Sequence, residues 1–125
     1  MNKLERRYHD LLELLRLDRQ ILDVRFEPEK FRLADGSFYT PDFRLILPTG
    51  IVEFHEVKGF WREAARVRIK LAAELNPYVF RSVTEVDPLH PKRSNRRIER
   101  GSVWIWETFS RGAPQWQPET DHLGT

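Results

Sequence analysis

The chain contains no cysteine, which excludes a disulfide framework, a thiolate zinc site and a cysteine nucleophile. Any metal it binds must be held by oxygen or imidazole. No apolar run approaches the roughly 20 residues needed to cross a bilayer, so a membrane partner is not expected. The stretch from Met1 to Leu17 is charged and amphipathic, lacking both an apolar signal core and a small-residue cleavage site, and we expect a cytoplasmic location. Internal repeats are absent as well. Net charge is slight, +2, yet the pI near 9.1 and the clustering of arginines point to a polyanionic partner, with nucleic acid foremost. With 125 residues, 40% of them hydrophobic and 32% charged, there is enough chain for one core and too little for two.

Hydrophobic spacing lays out the elements. Tyr8, Leu11, Leu12 and Leu15 recur at helical intervals between Leu4 and Leu17, with Asn2 placed to cap the helix. Ile21 to Phe26 and Lys30 to Leu33 alternate apolar and charged residues ahead of Asp35-Gly36, predicting two strands of a hairpin or meander. Phe43 to Leu47 and Ile51 to Val57 flank Pro48-Thr49-Gly50, which predicts a second antiparallel pair. A helix from Glu63 to Leu75 carries Ala65, Ile69, Ala72 and Ala73 on one stripe and stops at Asn76-Pro77. The β-branched and aromatic run from Tyr78 to Thr84 then makes a strand, helix, strand crossover. Val103 to Trp106 reads as a last, edge strand. The expected fold class is α/β or α+β: residues 1–110 form one domain, 88–100 a basic loop within it, and 111–125 a loosely ordered tail rich in Gly, Pro and polar residues.

Chemistry concentrates at the second antiparallel pair. Side chains alternate along a strand, so Glu56 and Lys58 share one face while His55 and Val57 take the other. The hairpin can bring Asp42, at the start of the preceding strand, beside them. Two carboxylates and one ammonium in one place suit a divalent cation such as Mg²⁺, with Mn²⁺ as a substitute. Such an ion supplies a nucleophilic water and relieves charge on a phosphodiester under attack, and Lys58 can orient the water or neutralise the transition state.

The words Tyr39-Thr40-Pro41-Asp42-Phe43 and Glu56-Val57-Lys58-Gly59-Phe60-Trp61, with thirteen residues between Asp42 and Glu56, resemble the bipartite signature of the PD-(D/E)XK nuclease superfamily. More narrowly, Arg32-Leu33-Ala34-Asp35 and the closing Trp106-Glu107-Thr108-Phe109 make the run from Leu4 to Phe109 look like small phage-encoded endonuclease-like proteins related to phage and archaeal Holliday junction resolvases. The resemblance implies a restriction-endonuclease-like mixed sheet flanked by helices, dependence on Mg²⁺ or Mn²⁺, and DNA cleavage leaving 5′-phosphates. It implies Asp42, Glu56 and Lys58 as catalytic residues, with Val57 completing the metal set alongside Asp42 and Glu56. It also implies a further acidic ligand from the first helix, which Glu5 matches, since Glu5, Tyr8, Leu12 and Leu15 lie on one helical face. A basic residue is implied on the helix after Glu-X-Lys. Arg62, Arg66 and Lys70 are spaced to provide it, Lys70 lying nearest the core stripe.

The remaining residues are read more plainly. His55 is structural by strand alternation, His9 is a weaker candidate beside Glu5, and Phe60 and Trp61 are core plugs beneath the helix. Lys92, Arg93, Arg96 and Arg97, four cations in six residues, form a phosphate-contacting arm. The expected function is a metal-dependent DNA endonuclease on branched or junction DNA, where two cuts across a symmetric junction call for a homodimer. The same core serves nicking and restriction enzymes, and a nucleic-acid-binding module with a decayed site is the alternative of another class.

Overall fold

The structure is a computed structural model that describes residues 1–86, 103–114 and 116–123. Helix α1 spans Lys3–Leu17 and opens with a capping box, in which the Asn2 side chain accepts from the Glu5 amide while the Glu5 carboxylate accepts from the Asn2 amide. Strands β1 (Asp23–Phe26), β4 (Phe43–Ile46), β5 (Val52–Val57), β6 (Val79–Val86) and β7 (Val103–Thr108) form one mixed sheet in the order β1-β4-β5-β6-β7. Only β5 and β6 run parallel, joined by helix α2 (Glu63–Leu75) as the crossover that a parallel pair requires. Two further strands, β2 (Phe31–Arg32) and β3 (Phe38–Tyr39), make a small separate hairpin.

The two helices cover opposite faces of the sheet. Tyr8, Leu12 and Leu15 of α1 pack with Phe43, Leu45, Val57 and Val83, whereas Ile69 and Ala72 of α2 pack with Phe54 and Phe80. Phe54 and Val57 are three positions apart on β5, so strand alternation assigns them to different faces. The class is therefore mixed α+β, with α1 on one face and α2 on the other.

Most predicted elements occur within a residue or two of their expected bounds, and α2 coincides with its predicted span. The predicted partnership of the first two strands does not occur. β1 pairs with β4, Phe26 facing Phe43, and β2 instead pairs with β3 across Asp35-Gly36. Glu27 has a positive φ and its amide donates to the Asp42 carbonyl, while Pro28 follows, so the chain leaves the sheet before β2 begins. At the β2–β3 turn Gly36 has φ +85°, and Asp35 Oδ1 accepts from both the Ser37 amide and the Ser37 hydroxyl.

The segment from Arg111, expected to be loosely ordered, has no helix or strand among its described residues but is tied to the body of the protein. The Trp116 carbonyl accepts from Arg81 at 2.6 Å, and Glu119 exchanges two hydrogen bonds with the Gln20 amide group. Trp116 and Leu123 pack against the core on the α1 face. The basic residues Lys92, Arg93, Arg96 and Arg97 lie outside the described residues.

On the α2 face, Phe54 sits among Phe31, Phe80 and Tyr78 at centroid distances of 4.9, 5.2 and 5.4 Å. Phe54→Ala should lower unfolding free energy by about 3–5 kcal/mol, as for other buried rings removed without collapse of the site. Urea denaturation of the two proteins measures the difference.

Candidate metal-binding and hydrolytic site

The site forms where the β4–β5 hairpin meets the end of β5. Register pairs Phe43 with His55, so Asp42, one residue earlier, falls opposite Glu56. Its Oδ2 accepts from the Val57 amide at 2.8 Å, which fixes the carboxylate against the end of β5. Glu56 is buried, with Oε1 accepting from the Tyr39 hydroxyl at 3.1 Å and Oε2 lying 3.3 Å from Lys58 Nζ. Lys58 continues the ladder through its own amide, which donates to the Val83 carbonyl, and its side chain reaches toward solvent. The structure thus brings Asp42, Glu56 and Lys58 together on the α2 side of β5, as strand alternation predicts.

Charge is the site's dominant feature. Burial disfavours the ionised form of Asp42, the neighbouring Glu56 adds repulsion, and Glu5 adds more. The Val57 amide and Lys58 offset only part of this, and the Asp42 carboxyl is pushed up to about 8. Burial likewise raises Glu56, against the pull of Lys58 and the Tyr39 hydroxyl. The Tyr39 phenol is itself raised by burial and by Glu56, so it stays protonated and donates. One half-buried and one buried carboxylate share one ammonium, a deficit of positive charge that either protons or a cation can fill.

Glu5 lies close enough to repel the Asp42 charge, but one of its oxygens is engaged in the α1 capping box. Among the described residues, no three His, Asp or Glu side chains converge as a ready metal cluster. Of Val57, the amide rather than the carbonyl is seen serving the site, through Asp42. The donor set nonetheless suits a hard divalent cation, because Asp42 and Glu56 offer only oxygen and Lys58 compensates only part of their charge.

The basic stripe of α2 is less uniform than its spacing. Arg62 is exposed at the N-cap, and its side chain makes no capping bond. Arg66 is committed to Glu107 at 2.6 Å and lies over the Phe109 ring. Lys70, expected to point inward, is exposed, since the inward positions are taken by Ile69 and Ala72. Neither aromatic is the expected core plug: Trp61 is half-buried, donates to Thr84 Oγ1 at 3.0 Å and joins neither apolar cluster, and Phe60 is 73% exposed. His9 stacks on Phe43 rather than joining the site.

His55 is structural, within a buried polar chain that sequence reasoning missed. Its Nδ1 lies 2.6 Å from the Tyr8 hydroxyl and its Nε2 2.8 Å from Glu53, while Trp106 donates to Tyr8. Arg81, fully buried, sits 3.5 Å from Glu53 and donates to Thr108. Burial holds the imidazole below its ordinary value and so neutral, which assigns Nε2–H as donor to Glu53 and Nδ1 as acceptor from Tyr8. The available signal was Val-Glu-Phe-His-Glu-Val itself, which places ionisable residues on both faces of a central strand. Tyr39 was also overlooked as a site residue, although it stands three positions before Asp42.

No protein-family profile, curated protein or solved structure matches the chain at a significant level.

A carboxyl whose folded-state pKa is raised stabilises the fold below its unfolded value near 3.8, and this contribution is lost as pH rises through the folded value of about 8. In chelator, the melting temperature of the wild type should therefore fall between about pH 4 and pH 8 relative to Asp42→Asn, which removes the ionising group. Adding Mg²⁺ at pH 8 should raise the wild type and leave the variant nearly unchanged. Parallel pH profiles in the two proteins would show that Asp42 is not charge-stressed.

Proposed function

We propose that this protein is a divalent-metal-dependent endonuclease of the PD-(D/E)XK type, hydrolysing DNA phosphodiester bonds to leave 5′-phosphates. The observation that carries the reading is the convergence of half-buried Asp42 and buried Glu56 beside a single ammonium, Lys58, at the end of β5. The mixed sheet flanked by helices is compatible with a restriction-endonuclease-like fold. Mg²⁺ or Mn²⁺, when bound, activates a water and offsets charge on the phosphate.

The protein's own residues divide the remaining work. Asp42 and Glu56 hold the cation, with Val57 positioning Asp42 through its amide and Glu5 adding negative field from the end of α1. Tyr39 fixes the orientation of Glu56. Lys58, half-exposed beside Glu56, is placed to orient the attacking water or meet charge developing on the phosphate. Arg62 at the N-cap of α2 and Lys70 within it, both exposed, offer positive charge to flanking phosphates, and the basic segment containing Lys92, Arg93, Arg96 and Arg97 adds to it. Branched or junction DNA, cut in the cytoplasm by a homodimer, is the proposed substrate. No helix among the described residues is long and apolar enough to cross a membrane.

Asp42→Asn and Glu56→Gln should each abolish Mg²⁺-dependent cleavage of a panel of linear, nicked, flapped and four-way DNA while retaining the wild-type circular dichroism spectrum. Lys58→Ala should lose at least about 100-fold in turnover but keep its metal affinity by calorimetry, because the ammonium is not a ligand. A wild-type protein that binds the panel and cuts none of it under Mg²⁺ or Mn²⁺ would establish a binding module instead.

A further inference from the structure

Phe60 is the most exposed large hydrophobic side chain among the described residues, at 73%. It stands two residues beyond Lys58, in the connection from β5 to α2. Its neighbour Trp61 is anchored to β6 through Thr84. The ring is presented outward beside that fixed point. Phe38, the other strongly exposed phenylalanine, has the Lys30 ammonium over its face at 4.5 Å, and among the described residues no ring or cation covers Phe60.

We propose that Phe60 is a base-stacking residue that receives an unpaired nucleotide beside the phosphate held at Asp42, Glu56 and Lys58, so that the preferred substrate carries unpaired bases next to the cut. The inference rests on the nuclease reading of that site. Two residues of chain span at most about 7 Å, so Phe60 stands within reach of a base next to a phosphate at Lys58. A bare aromatic ring recognises the face of any base, without regard to sequence. In an uninterrupted duplex both faces of each base are covered by neighbouring pairs, so the ring has a surface to meet only where pairing is broken. Arg62, exposed two residues further on, supplies a cation for the adjoining phosphate. Such a substrate is single-stranded, flapped or open at a branch point.

The test uses the whole protein in EDTA, where no cleavage occurs, with fluorescence anisotropy of a labelled oligothymidine and of a fully paired duplex. Phe60→Ala should weaken single-strand binding by roughly 5- to 100-fold, the range that stacking of one base carries. Duplex binding should not change, and Phe60→Trp should keep the wild-type single-strand affinity. A 2-aminopurine placed in the oligonucleotide should be quenched by the wild type and by Phe60→Trp, and not by Phe60→Ala. The proposal is overturned if Phe60→Ala binds single strands as the wild type does, if it loses duplex and single-strand affinity equally, or if wild-type protein ignores single strands. It is likewise overturned if Phe60→Ala converts a DNA-free dimer to monomer in sedimentation, which would make the ring a contact between copies. Because binding is read without metal, Phe60-dependent capture of single strands by a protein that never cleaves would sink the nuclease reading and leave the stacking role standing.

Discussion

Holding two carboxylates side by side, one buried and one half-buried, is the constraint around which the α2 face is arranged. Asp42 and Glu56 repel one another and each loses hydration, so every group around them must return part of that cost. The Val57 amide returns some to Asp42, and the Tyr39 hydroxyl and Lys58 return some to Glu56. The small β2–β3 hairpin gains its purpose here, since it delivers Tyr39. It is fixed in turn by Arg68 of α2, whose guanidinium donates to the Phe38 carbonyl. A helix that first reads as a crossover between parallel strands therefore also positions a hydrogen bond to the site.

Strand β5 is polar on its other face too. Glu53 and His55 meet Tyr8, Arg81 and Trp106 beneath α1, where burial penalises unpaired polar atoms, and among the described residues Glu53 Oε2 and Arg81 Nη2 make no hydrogen bond. A buried ion pair such as Glu53 with Arg81 adds little net stability, because desolvation consumes most of the attraction. Its physical effect is on register. Sliding β5 by one residue against β6 would turn Glu53 and His55 into the apolar cluster of Phe54, Phe80 and Ile69, and would remove Glu56 from the site. The network that fixes the strand on one face thus keeps the carboxylates in place on the other. Residues after Arg111 belong to the same arrangement, since the Trp116 carbonyl accepts from Arg81.

Much of the candidate site was legible because it is local. The spacing of Glu56 and Lys58 places them on one face of any strand, and Pro48-Thr49-Gly50 closes the hairpin that returns Asp42 to them. Helix α2 was equally plain, from strong helix formers ending at Asn76-Pro77. Pairing was harder to read: the alternation in Phe31-Arg32 is the same whether it joins β1 or β3, and only the departure of the chain at Glu27-Pro28 decides. Phe60 and Trp61 show the same limit, since adjacent aromatics carry identical propensity and the Thr84 hydroxyl, twenty-three residues on from Trp61, selects which one turns inward.

The sequence by itself determined the elements, the faces on which their side chains fall, and the residue types available for chemistry, because these depend on neighbours a few positions away. Only the tertiary structure decided which groups lose their water. Asp42 and Glu56 become charge-stressed, Tyr39 becomes a partner to Glu56, and Arg81 becomes a buried cation through contacts between segments far apart in the chain, and solvation at a point in space is set by everything packed around it.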